Sequence, residues 1–178
     1  MPESTIFENW EINIDKLPKA VELEFVPIER TYAKVLYIGN GITFFVILAL
    51  LMSAIFLYIG PLHWLSFGLL TLWLLFLILS FWFAHTSVAH KAYALRQRDI
   101  SYKSGIFFRE WITIPFTRVQ HCELSRGVLD RTFGLAELRI FTAGGSSSDI
   151  SIPGLKSEVA QQLKDFIIAK IKDDDEEE

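Results

Sequence analysis

The sequence predicts a membrane protein: an α-helical two-span hairpin, then an α+β domain whose antiparallel sheet is closed off by a C-terminal helix. Three observations carry this. From Leu36 to Ala84 there is no Lys, Arg, Asp or Glu. From His85 to Lys172 the texture changes to short β-rich runs broken by turn residues. The last run is followed by an amphipathic stretch with helical spacing.

The charge-free run is roughly twice the ~18 apolar residues that mark a membrane span. Gly60-Pro61 lies near its middle. The first half, 36–59, rises about 36 Å as a helix and the second, 62–83, about 33 Å. Either crosses a hydrocarbon core of ~30 Å with modest tilt. A cleavable signal peptide fits poorly, because the segment before the run is acidic and has no compact basic region.

A turn as short as Gly60-Pro61 places both ends of the hairpin on one side of the membrane. Arg30 and Lys34 precede the first span, and Lys91, Arg96 and Arg98 follow the second, with no Lys or Arg in the turn. The positive-inside rule then predicts a bacterial cytoplasmic (inner) membrane protein with both termini cytoplasmic. Tyr37 and Trp82 suit one interface, Tyr58 and Trp64 the other.

Residues 1–35 form the expected cytoplasmic N-terminal segment, with seven acidic and four basic side chains. Val21-Glu22-Leu23-Glu24-Phe25 alternates with period two, which reads as a short strand. Val21, Leu23 and Phe25 are then candidates for adding to a sheet edge, the chain's own or a partner's. A loosely ordered tail is the other reading. Pro27 suits the start of the helix that enters the membrane.

In the domain expected at 85–172, strands are predicted over 89–95, 99–103, 106–115, 119–125, 138–142 and 149–152. One helical turn is expected at Val128–Phe133. Pro153-Gly154 is expected to end the β region. Ser157 then suits an N-cap, and Glu158 the first turn of a helix. Leu155, Val159, Leu163, Phe166, Ile167 and Ile171 fall on one face of that helix. Asp173–Glu178 reads as a solvated acidic tail.

The stretches Ile114-Pro115-Phe116-Thr117-Arg118-Val119-Gln120-His121, Gly127-Val128-Leu129-Asp130-Arg131-Thr132-Phe133-Gly134-Leu135-Ala136 and Leu138-Arg139-Ile140-Phe141-Thr142-Ala143-Gly144-Gly145 resemble the bacterial pleckstrin-homology (PH) domain of YdbS-like membrane proteins. The resemblance covers about residues 30–172. It implies a two-span hairpin joined to a cytoplasmic PH-like domain, a strongly bent antiparallel sheet capped by a C-terminal helix. It carries over no catalytic residues, and a fold does not imply a function.

Chemistry is sparse. His63 belongs to the hairpin turn, and His85 and His90 to the opposite boundary, so they cannot share one ion. Haem or metal binding is therefore only an alternative reading, and no cofactor or metal site is expected. The Gly144-Gly145-Ser146-Ser147-Ser148 run lacks the Lys and following helix of a phosphate loop. No Gly-x-Ser-x-Gly occurs, and the spans hold no ionisable residue for an ion path. Cys122, the single cysteine, reads as a structural thiol.

Residues 85–172 carry a net charge of +5, masked by −3 in residues 1–35 and −6 in the tail. Arg96, Arg98, Lys103 and Arg109 belong to the hairpin of strands nearest the anchor and suit lipid headgroups, at about 1 kcal/mol each. Topology alone also accounts for basic flanks. Arg118, Arg126, Arg131 and Arg139 are expected to pair with Glu123, Asp130 and Glu137 and fix loops. The reading is a non-enzymatic, membrane-anchored interaction and assembly module. Its partners are membrane lipids and either its own copies or another membrane protein, with no nucleic acid and no small-molecule substrate. The alternative is an anionic-lipid-sensing domain on an anchor.

Overall fold

The computed structural model describes residues 23–61, 63–143 and 150–176. Strand β1 (Val26–Pro27) leads into helix α1 (Tyr32–Ala54), which continues as a π-helical turn to Ile59. Helix α2 (Trp64–Ala89) returns antiparallel to it. The domain follows as β2 (Ala92–Leu95), β3 (Asp99–Ser104), β4 (Glu110–Pro115), β5 (Val119–Ser125), α3 (Val128–Thr132), β6 (Leu135–Thr142), β7 (Ile150–Lys156) and α4 (Ser157–Glu176).

The two long helices are apolar on every side and bury almost nothing. Only Ile55, Ser66, Ala84 and Val88 of them are buried, while Phe45, Leu50, Phe56, Phe67 and Phe76 stand exposed. Such surfaces need a solvent other than water, and hydrocarbon supplies it. At 28 and 26 residues, the helices rise about 42 and 39 Å. Tyr37 stacks on Phe81 at 5.4 Å, Phe44 meets Trp73 edge-on at 6.2 Å, and Asn40 Nδ2 donates to the Ser80 carbonyl at 3.4 Å. Thr43, Thr71 and Thr86 turn their hydroxyls back onto the carbonyl four residues earlier, so none faces lipid unpaired. The Gly60 amide closes the π-turn on Ile55 O at 2.8 Å, and Ser66 Oγ donates to Gly60 O at 2.8 Å. Gly60 has φ 93°, a conformation that a side chain would resist.

Two antiparallel sheets make the domain, one in the order β1-β2-β3-β4 and the other β5-β6-β7. Ile100, Tyr102, Ile114 and Phe116 pack from one side against Leu138, Ile140 and Ile152 from the other. Helix α4 closes the core with Ala160, Leu163 and Ile167, and Phe166 meets Phe116 edge-on at 6.0 Å. This is the PH-like architecture, with the antiparallel strands divided into two sheets and closed by a C-terminal helix, carried on a two-helix membrane anchor.

Several elements differ from their sequence reading. The strand expected at Val21–Phe25 forms at Val26–Pro27; Val21 lies outside the described residues, and Leu23 and Phe25 precede the pairing. Pairing is confined to the residues that enter α1 beside the exit of α2, in the register Val26↔Tyr93 and Pro27↔Ala92. Pro27 therefore sits on an edge strand, where its missing N–H costs no ladder bond, and the helix begins at Tyr32 instead. Ile106–Phe108 form a turn, not strand, because Gly105 at φ 98° folds back onto the Phe108 carbonyl. Strand β7 runs through Pro153-Gly154 to Lys156, since Gly154 takes φ 67° at an irregularity in the β6–β7 register. Leu155 thus belongs to a strand, not to α4. Ser157 is the first helical residue, and its hydroxyl donates to Leu135 O at 3.4 Å. Helix α4 continues to Glu176, through most of the expected tail.

Candidate functional site

Register sets which residues the domain presents to the membrane. Pro27↔Ala92, Ala92↔Lys103 and Lys103↔Trp111 lie side by side across the first sheet. Pro27 and Ala92 are the strand ends joined to the helices, so Lys103, Trp111 and the β3–β4 turn share the membrane end of that sheet. The β2–β3 turn, with Arg96 and Arg98, lies at the far end, about 13 Å away at 3.3 Å per strand residue. The four basic residues singled out in the sequence therefore divide into two pairs. Arg96 is already engaged by Asp99, Nε to Oδ1 at 2.7 Å. Lys103 and Arg109 remain on the membrane side.

The junction between anchor and domain is short and tightly bonded. Ile28 N–H donates to Lys91 O at 3.3 Å, and Glu29 N–H to Gly154 O at 2.9 Å. Lys156 Nζ lies 3.5 Å from Glu29 Oε1. Lys91 places Nζ 5.6 Å from the Tyr32 ring centre, and burial pushes its pKa below the usual lysine value, with Glu137 opposing. Glu137 accepts from Ser151 Oγ and from Arg139 Nη2, the latter at 2.9 Å. Burial likewise raises the phenols of Tyr93 and Tyr102, with Glu29 adding to the first and Tyr32, Glu137 and Glu110 to the second. Beside this seam, β1, the start of α1 and the end of α2 enclose a cleft of about 450 Å³ lined by Ile28, Arg30, Ala33, His85 and Val88.

The sheet edges are unequal. Strand β1 covers β2 only at Ala92 and Tyr93. At the other edge, β4 pairs with β3 along all six residues and with no strand on its outer side among the described residues. A groove of about 320 Å³ runs beside β4, with Ile112, Pro115, Arg118 and Thr142 in its walls. Phe25 folds back over its own sheet, edge-on to Trp111 at 5.2 Å, with Lys103 Nζ 5.7 Å from its ring centre.

The other sequence candidates are placed in structural roles. His85 Nδ1 and Tyr37 Oη share a hydrogen bond at 2.9 Å, His90 bonds to Thr86 O, and His121 stacks on Phe141 at 4.3 Å. Among the described residues no three His, Cys, Asp or Glu side chains group as metal ligands. Arg139 pairs with Glu137 as expected, whereas Asp130 instead accepts from Gly127 N–H at 3.0 Å and Glu123 faces His121 at 3.7 Å. The glycine-serine loop at 144–148 lies outside the described residues. Phe107 and Phe108 fall in the run that β-propensity assigns to strand, and Ser104-Gly105 just before them is the local turn signal that marks them off from it.

Residues 25–171 match the family model described as Bacterial PH domain. Over 117 residues the chain is 37% identical to the UPF0699 transmembrane protein YdbS of Bacillus subtilis (strain 168), an alignment covering 64% of this chain and 71% of that protein. No solved structure gives a significant match.

Proposed function

The chain belongs to the bacterial PH domain family, and from that premise we propose that it is a non-enzymatic, membrane-anchored interaction module that assembles with its own copies or with another membrane protein. The observation behind this reading is the open edge of β4. The open outer edge of this six-residue strand, beside a groove, forms a template for a fifth strand in that sheet, supplied by a partner. The opposite edge is partly blunted by β1. Arg30, Lys34 and Lys91 beside the helix ends support a cytoplasmic position for this edge at a bacterial inner membrane, by the positive-inside rule.

The test is purification of the full chain from native membranes in mild detergent. An oligomer or defined complex is expected, and Thr113→Lys on the exposed side of β4 is expected to dissolve it while circular dichroism stays native. A monomer that co-elutes with nothing defeats the reading. A second reading, anionic-lipid sensing, is supported by the position of Lys103 and Arg109 at the membrane end of the sheet. Binding in that case follows lipid charge and weakens with salt.

A further inference from the structure

We propose that the domain rests on the bilayer through a second, reversible contact: the β3–β4 turn inserts Phe107 and Phe108 into the interfacial layer, and Val128 at the head of α3 adds an apolar tip at the same end of the domain. Among the described residues, the four most exposed large apolar side chains outside the two long helices are Phe108 (92%), Val128 (82%), Phe107 (74%) and Trp111 (57%). All four lie at the end of the domain that carries the anchor. Phe107 and Phe108 belong to the turn that continues past Lys103 and Trp111, the level of the helix exits. At 3.3 Å per residue, the turn reaches roughly 7 Å beyond that level. Val128 opens α3, which packs against α1.

Three features identify the covering surface as lipid. The first is proximity. Only Ile28–Thr31 separate β1 from α1, and only His90 and Lys91 separate α2 from β2. Helices of about 42 and 39 Å exceed a ~30 Å hydrocarbon core by only some 5 Å at each end. The membrane end of the domain therefore lies at headgroup depth. The second is charge: Lys103, Arg109, Arg126 and Arg131 flank the apolar tips, and the last three are exposed. Aromatic tips with basic flanks match the layering of an anionic interface, apolar below and phosphate above. The third is the backbone of the turn. A Cβ on Gly105 would lie 1.7 Å from Phe108 O, so the turn is held tight and its two rings are held outward.

The inference does not depend on the β4 edge; it deepens the lipid reading and fails separately from it. The full chain is placed in proteoliposomes of neutral phosphatidylcholine alone or with phosphatidylglycerol. Single cysteines replace Phe107, Phe108 or Val128, each carrying an environment-sensitive fluorophore, with Gln97→Cys at the far end as the control. Cys122 is buried and needs no removal. Expected are blue-shifted emission at the three tip positions, loss of quenching by aqueous iodide, and quenching by spin-labelled lipid, none of which Gln97→Cys shows. Protection in both lipids supports insertion while removing the case for lipid sensing; protection only with phosphatidylglycerol supports both. Iodide quenching equal to that of the control in both lipids overturns the proposal. So does protection seen in native membranes but absent in both pure-lipid samples, which assigns the tips to a protein partner.

Discussion

Gly154 on β7 and Tyr32 at the head of α1 touch so closely that a methyl group on Gly154 would lie 2.7 Å from Tyr32 Cβ and Cγ. The glycine also holds φ 67°. Domain and anchor meet there with no room between them.

Gly154→Ala is accordingly expected to destabilise the protein by about 1–3 kcal/mol, combining left-handed strain with the clash. Thermal unfolding in detergent reads the loss. Gly39→Ala, where an added Cβ meets nothing within 4 Å, is the control and is expected to leave stability unchanged or slightly raised.

Lys91 gives a pH dependence of defined sign. Burial lowers its pKa in the folded chain, so between that value and the usual 10.5 the unfolded chain binds more protons. The penalty is full at neutral pH and is relieved as pH rises through the lowered value towards 10.5. Lys91→Met is expected to remove this rise. Melting curves of variant and parent converge as pH increases if the sign is right. A constant gap between them contradicts it.

Cys122 runs in the opposite direction. Burial pushes its thiol up from 9.0 to about 11, with Lys164 opposing. The protonated thiol contributes stability that is fully present below pH 9 and lost as pH rises through about 11. Cys122→Ala is expected to flatten that part of the melting profile. In the folded parent, maleimide labelling at pH 8 is expected to be far slower than in denaturant.

Ile167 is fully buried where α4 closes the core. Ile167→Ala is expected to cost about 2–5 kcal/mol, the range for a core truncation that leaves a cavity. Hydrogen exchange is expected to quicken along α4 first, whereas α1 and α2, held by lipid, keep their protection.

What the sequence made legible was the part governed by one strong signal. The charge-free run from Leu36 to Ala84 located both spans and Gly60 marked their turn, because charges are expelled from hydrocarbon and a tight reversal needs glycine. The helix ends were harder. Tyr32–Val35 and His85–Ala89 are helical yet lie outside the charge-free limits or at their edge, since hydropathy measures the bilayer and not the helix. In the domain, β-propensity found most strands but claimed Ile106–Phe108 too, where the geometry of Gly105 overrides it. The division of Arg96 and Arg98 from Lys103 and Arg109 depends on strand register. The exposure of Phe107 and Phe108 depends on which end of the sheet faces the anchor. Neither is written in local sequence.

The brevity of the two connections, Ile28–Thr31 and His90–Lys91, makes the protein a lever. A domain hung on a long linker would swing freely whatever its anchor did. Here, any tilt the hairpin takes up to match its bilayer is passed to the domain as a rotation of the two together.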